Sequence, residues 1–106
     1  MKKIIIAALI LLGASTASYA QLSQQAIEQQ AQVITNNVHQ AVNLTPTQMT
    51  EIQAVNVQYV TQMDHIQQAG TNASPQRTIL VKQHKNNKYQ TILTPAQYVL
   101  YEAMPQ

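Results

Sequence analysis

Leu44-Thr45-Pro46-Thr47-Gln48 and Leu93-Thr94-Pro95-Ala96-Gln97 are two copies of one pattern, and each spells the start of a helix. In both, a threonine precedes a proline, so its hydroxyl can cap the first turn while the proline takes the first helical position, where a missing N–H costs nothing. The glutamine three residues after the threonine reaches back to the threonine N–H and closes a capping box. The leading leucine precedes the cap and can pack on the fourth helical residue, Met49 in one copy and Tyr98 in the other, as a hydrophobic staple.

Working outward from these starts, the spacing of apolar residues predicts four helices. The first covers about Ser23 to Val42, with a seam of Ile27, Ala31, Ile34, Val38 and Ala41 stepping by four and three and widened by Val33 and Val42. The second begins at Pro46 and carries Met49, Ile52, Val55, Tyr59, Met63 and Ile66. It ends at the linker Ala69-Gly70-Thr71-Asn72-Ala73. Ser74-Pro75 opens a third helix, with Ser74 as its cap, running to about Ile92. A fourth, short helix runs from Pro95 to about Ala103, where Pro105 precludes much continuation. Strand-like alternation does not persist anywhere, although Ile79-Leu80-Val81 is a short apolar run. The expected fold class is all-α.

Residues 1–20 read as a secretory signal peptide. Lys2 and Lys3 lead an apolar stretch, Ile4 to Leu12, too short to span a bilayer, and Ser18-Tyr19-Ala20 sets small residues before a cleavage at Gln21. Cleavage leaves 86 of the 106 residues, 21–106, as a single small helical domain with no stable membrane insertion. That domain is neutral. Its bases are Arg77, Lys82, Lys85 and Lys88, and its acids are Glu28, Glu51, Asp64 and Glu102. A nucleic-acid binder would carry a strong positive excess, so that class is disfavoured. Amides replace charge, with 18 Gln and 7 Asn, which leaves a soluble surface that repels its own copies weakly. With no cysteine there is no disulfide, thiol nucleophile or lipid anchor, and a chain this short then relies on helix packing or a second subunit.

Two such helix starts behind a signal peptide, in a helical chain without cysteine, resemble the LTxxQ-motif family of small periplasmic proteins, the Spy/CpxP-like group. Leu44, Thr45 and Gln48, and Leu93, Thr94 and Gln97, are the residues that carry the resemblance. Ile92 to Tyr98, followed by Tyr101-Glu102, looks like the short-chain members in particular. The likeness covers about residues 44–104. It implies a helical-hairpin cradle built as a homodimer in the periplasm, acting as an ATP-independent chaperone, a stress-signalling inhibitor or a metal-responsive protein.

The third helix offers a candidate binding face. Arg77, Lys82, Lys85 and Lys88 fall within an arc of about 140° together with Val81, Tyr89 and Ile92. An ordinary surface helix separates its charged and apolar faces, whereas this one mixes them. Those seven residues are therefore the candidate contacts for unfolded clients, which would be held by apolar segments and acidic groups. The competing account is a core-facing stripe flanked by lysines whose stems snorkel outward.

Other chemistry is weakly represented. His39, His65 and His84 invite a metal, yet no two stand at i, i+3 or i+4 spacing, so no metal ligand and no cofactor is expected. Ser74 is spent as a cap and Ser23 sits at a helix end, while the carboxylates show no acid–base pairing, so an enzyme is not expected. Tyr59 and Tyr98 hold core-like positions, and Met49, Met63 and Met104 suit an adaptable core or interface. The expected function is a periplasmic chaperone or envelope-stress adaptor for unfolded or membrane-associated proteins. The alternatives are a dedicated inhibitor of a sensor protein and a metal-responsive binder.

Overall fold

Each expected helix forms, and the reasons are local. A computed structural model describes residues 22–70 and 75–105, so the expected signal peptide and the expected Ser74 cap lie outside the described residues. The elements are α1 (Gln24–Val42), α2 (Pro46–Ala69), α3 (Pro75–Ile92) and α4 (Pro95–Glu102), with no strand among the described residues. Ser23 caps α1, its Oγ accepting the Ala26 N–H at 3.1 Å. Thr45 and Thr94 cap α2 and α4 in closed capping boxes, each with proline in the first turn. Asn43 ends α1 in the left-handed region at φ 59°, its N–H donating to the His39 carbonyl at 2.8 Å. Asparagine is one of the few residues that visits this region readily. Gly70 ends α2 at φ 59°, ψ −130°, where a side chain would meet nothing but the backbone itself would be strained.

The helices form a layer with α2 in the middle. α1 packs along one flank of α2 and α3 along the other, while α1 and α3 make no close backbone approach. α4 turns back from α3 to lie against α1. Two apolar clusters result. The larger gathers Val38, Val42, Leu44, Ile52, Tyr89, Leu93 and Tyr101 at the end where both motifs lie, with Met49 and Tyr98 packed against it as the staples require. The smaller holds Ile27, Ala31 and Val60.

Between the clusters runs a polar crossing that spans three helices. Asn56 of α2, fully enclosed, donates from Nδ2 to Thr35 Oγ1 of α1 at 2.9 Å, and its Oδ1 accepts the hydroxyl of Tyr89 from α3. Thr35 lies 2.9 Å from the Ala31 carbonyl and 2.6 Å from Gln53 Oε1, to either of which its hydroxyl can donate. The expected Ile27, Ala31, Val38, Ile52 and Ile66 are buried, and this crossing adds polar residues to both seams. On α1, Val42 is buried as expected and Thr35 joins it inside, whereas Ile34 is half-buried and Ala41 exposed. On α2 the enclosed line is Ile52, Asn56, Val60 and Asp64, with Ile66, and the expected Met49, Val55, Tyr59 and Met63 are half-buried. Apolar periodicity cannot register a core position taken by an amide or a hydroxyl. Here those groups are inside because each finds its partner on a neighbouring helix.

Three tyrosines close the motif end, with Tyr101 stacked obliquely on Tyr89 at 4.6 Å and on Tyr98 at 5.7 Å between ring centroids. Burial pushes the Tyr89 and Tyr101 phenols well above the ordinary tyrosine range, with further upward pressure from neighbouring tyrosines. A raised pKa favours the neutral phenol in the fold, so its contribution is complete below the unfolded value near 10 and is lost as pH rises beyond it. Stability should therefore fall above about pH 10 with a slope near 1.4 kcal/mol per pH unit for each such tyrosine. Urea melts across this range should show the slope, and Tyr101→Phe should remove about half of it; an unchanged slope would place the alkaline transition elsewhere.

Candidate functional site

The two motifs meet each other in space. Gln48 Nε2 donates to Gln97 Oε1 at 2.7 Å, and Gln97 Nε2 donates to Gln48 Oε1 at 3.0 Å, a reciprocal amide pair. Each amide oxygen also accepts the N–H of its own threonine cap, Thr45 at 3.0 Å and Thr94 at 2.9 Å. Each amide nitrogen reaches the open end of the helix before the other motif. Gln48 donates to the Ile92 carbonyl at 3.2 Å, and Gln97 to the Val42 and Asn43 carbonyls at 3.4 and 3.3 Å. The hydrogens and lone pairs of both amides are thus engaged. One glutamine serves two helix ends, a start in its own half and a stop in the other. Leu44 and Leu93 lie buried beneath this junction. The motif residues are therefore a structural lock, and their carriage of the fold is a property no capping box has by itself.

The candidate contacts on α3 divide. Tyr89 is 0% exposed, and Ile92 is half-buried and packed against the core. The middle of the mixed arc thus faces α2 with exposed bases at its edges, an arrangement in keeping with the core-facing stripe that was the competing account. Lys85 is half-buried, with Nζ 4.3 Å above the Tyr59 ring and 5.8 Å from that of Tyr89, and it ties α3 to α2 through their π faces. Burial lowers its pKa, and nearby Lys82 lowers it further. Val81 is half-buried and lines a shallow groove with Val55, Tyr59, His84 and Lys85. Arg77, Lys82 and Lys88 stand exposed.

The open apolar surface is elsewhere on the same helix. Ile79 and Leu80 are 54% and 62% exposed, and Leu80 lies nine residues before Tyr89, about 180° around the helix from it. α3 buries one residue, Tyr89 near its C-terminus, so its first half is seated on α2 by half-buried contacts. α3 also holds every basic residue of the domain and no acidic one, the four carboxylates being spread over α1, α2 and α4. A second open stripe runs along α4, where Ala96, Val99, Leu100 and Ala103 are exposed at spacings of three, one and three, with Val99 at 64% and Leu100 at 50%. The run Ile79-Leu80-Val81 was the sequence signal for the first surface. Counting residues around α3 from a buried Tyr89 turns Leu80 outward.

The histidines are dispersed in role. His39 Nδ1 accepts the Leu44 N–H at 3.0 Å and so helps cap α1, while His65 and His84 are exposed. Among the described residues no three His, Asp or Glu side chains are grouped to hold a metal ion. No helix among them is long and apolar enough to cross a membrane. No protein-family model, curated protein or solved structure matches the chain.

Substituting glutamate for either motif glutamine separates the two duties of that side chain. Gln48→Glu and Gln97→Glu keep the acceptor that a capping box needs but replace an N–H donor with a carboxylate oxygen facing another oxygen. Each should lower the unfolding free energy by about 2 kcal/mol or more. A neutral or favourable effect, as a cap at the positive end of a helix dipole would give, would deny the junction any weight.

Proposed function

We propose that residues 21–106 act in the periplasm as an ATP-independent chaperone or envelope-stress adaptor, holding unfolded or membrane-associated proteins on the first half of α3. One observation carries this reading: Ile79 and Leu80 are open to solvent on the helix that bears all four bases of an otherwise acidic domain. Exposed apolar side chains bind the apolar segments an unfolded protein presents, without regard to sequence. Cations beside them attract acidic clients from a distance, and the attraction is screened by salt. The resemblance of the two LTPxQ segments to the Spy/CpxP-like group supports the same reading.

In this proposal the chain works as a homodimer whose paired helices make a cradle. Ala96, Val99, Leu100 and Ala103 support it, because their spacing matches the seam one helix presents to another. Leu100→Glu should halve the mass in sedimentation at micromolar protein; an unchanged mass would remove α4 from the interface.

Light scattering from two unrelated proteins during unfolding tests the activity, with an equimolar amount of residues 21–106 and no ATP. Both should be protected. The double variant Ile79→Ser, Leu80→Ser should lose most of that protection while its helical circular dichroism stays intact, and Lys82→Glu, Lys88→Glu should weaken it several-fold at low salt. Protection of neither protein would reject general holding and favour a dedicated partner.

A further inference from the structure

The edge position of α3 leaves a ridge along its outer side. α3 packs chiefly on α2, and α1 makes no close approach to it. At 100° per residue Leu80 stands opposite the enclosed Tyr89. Arg77 and Lys88 lie about 60° and 80° to one side of Leu80, and Ile79 and then Lys82 lie about 100° and 160° to the other. Two open apolar side chains are therefore bracketed by three exposed bases, all within about 17 Å of helix axis. The rest of the outer side is uncharged, with Gln83, Asn87 and Gln90 exposed.

The carboxylates are placed elsewhere. None lies on α3; Glu28 is on α1, Glu51 is near the start of α2 and Glu102 ends α4. The Lys85–Tyr59 stack and the Tyr89–Asn56 hydrogen bond set α3 antiparallel to α2, which brings Leu80 level with Asp64 and His65. Asp64 is enclosed there, its Oδ2 accepting from Gln68 and from the Leu22 N–H just before α1, while His65 is exposed.

We infer that this ridge docks the folded domain on an anionic bilayer surface, with Ile79 and Leu80 entering the headgroup layer and Arg77, Lys82 and Lys88 meeting its phosphates. Apolar side chains flanked by cations are the pattern of helices that lie in a membrane interface. Charge complementarity selects the partner: each base held near an anionic leaflet strengthens binding by about fivefold, so three supply about a hundredfold. Shape agrees, since a plane meets a convex helix edge along its whole length, whereas an extended peptide touches it at one or two side chains. Two apolar residues give only a shallow, reversible hold, and no described helix is long and apolar enough to cross a membrane. This partner goes beyond client holding and does not depend on it.

Residues 21–106 suit the test, because the packing lies within residues 22–105 and the apolar stretch Ile4 to Leu12, which would enter a bilayer by itself, is left out. The chain has no tryptophan, so Leu80→Trp and Gln29→Trp, the latter exposed on α1, place one reporter on each edge of the layer. Vesicles of phosphatidylcholine with about one third phosphatidylglycerol should shift the Leu80→Trp emission to the blue and leave Gln29→Trp unchanged. The unsubstituted domain should float with these vesicles at least tenfold more than with phosphatidylcholine alone, and about 0.5 M salt should release it. The triple variant Arg77→Glu, Lys82→Glu, Lys88→Glu should abolish flotation, and Ile79→Ser, Leu80→Ser should weaken it several-fold. No flotation, equal flotation with both vesicles, or a shift of both tryptophans would overturn the assignment. These measurements contain no client, so their failure leaves client holding untouched. Protection of unfolding proteins without flotation would give the ridge to protein partners instead.

Discussion

The Gln48–Gln97 amide pair is the constraint on which the arrangement of the four helices depends. Helix ends are the places where backbone groups lack partners, and this chain brings two stops and two starts to one spot. A serine or threonine cap satisfies a start alone. A glutamine in the third helical position can do that and still have an N–H to spare, and the spare hydrogens close the two stops. The arrangement is close to symmetric, since the motifs are 49 residues apart in sequence and Asn43 stands to one as Ile92 stands to the other. Because both partners are neutral amides, the junction presents no charge for pH or salt to act on.

Away from the junction, selectivity comes from the Thr35–Asn56–Tyr89 crossing. Apolar side chains would accept several rotations of α1 and α3 against α2, as any greasy stripe does. One enclosed amide with a donor demand on one side and an acceptor demand on the other admits far fewer. Strength is thus concentrated where α3 ends. The first half of that helix rests on half-buried contacts and the Lys85–Tyr59 stack, an arrangement that leaves Ile79 and Leu80 uncovered.

What the sequence discloses and what it hides follow from the range of each interaction. Both capping boxes, both staples and the bounds of all four helices were legible, because a cap is satisfied within four residues of itself. The pairing of Gln48 with Gln97 was not, since each glutamine already has a complete local explanation and nothing local asks for a second. Thr35, Asn56 and Asp64 were passed over because hydrophobic periodicity scores them as surface. Tyr89 and Ile92 were left between a client face and a core-facing stripe, since a helical wheel shows which residues share a side but not which side another helix covers. Lys85 sat correctly in the arc, yet its place between two tyrosine rings needed α2 to be seen.

The segregation of charge onto α3 has an electrical consequence that net charge conceals. With four bases and four acids among its described residues, this part of the chain is formally neutral, so it would drift little in a uniform field. With all the bases on one helix, the molecule is nonetheless a permanent dipole, and a field turns a dipole even where it exerts no net pull on it. Near the anionic face of a bilayer, or beside a strongly acidic protein, the potential falls off within about 8–10 Å, a length smaller than this domain. The steep field there would rotate α3 toward the negative surface and the acidic helices away from it. Neutrality then sets how far the protein wanders, and asymmetry sets which way it faces on arrival.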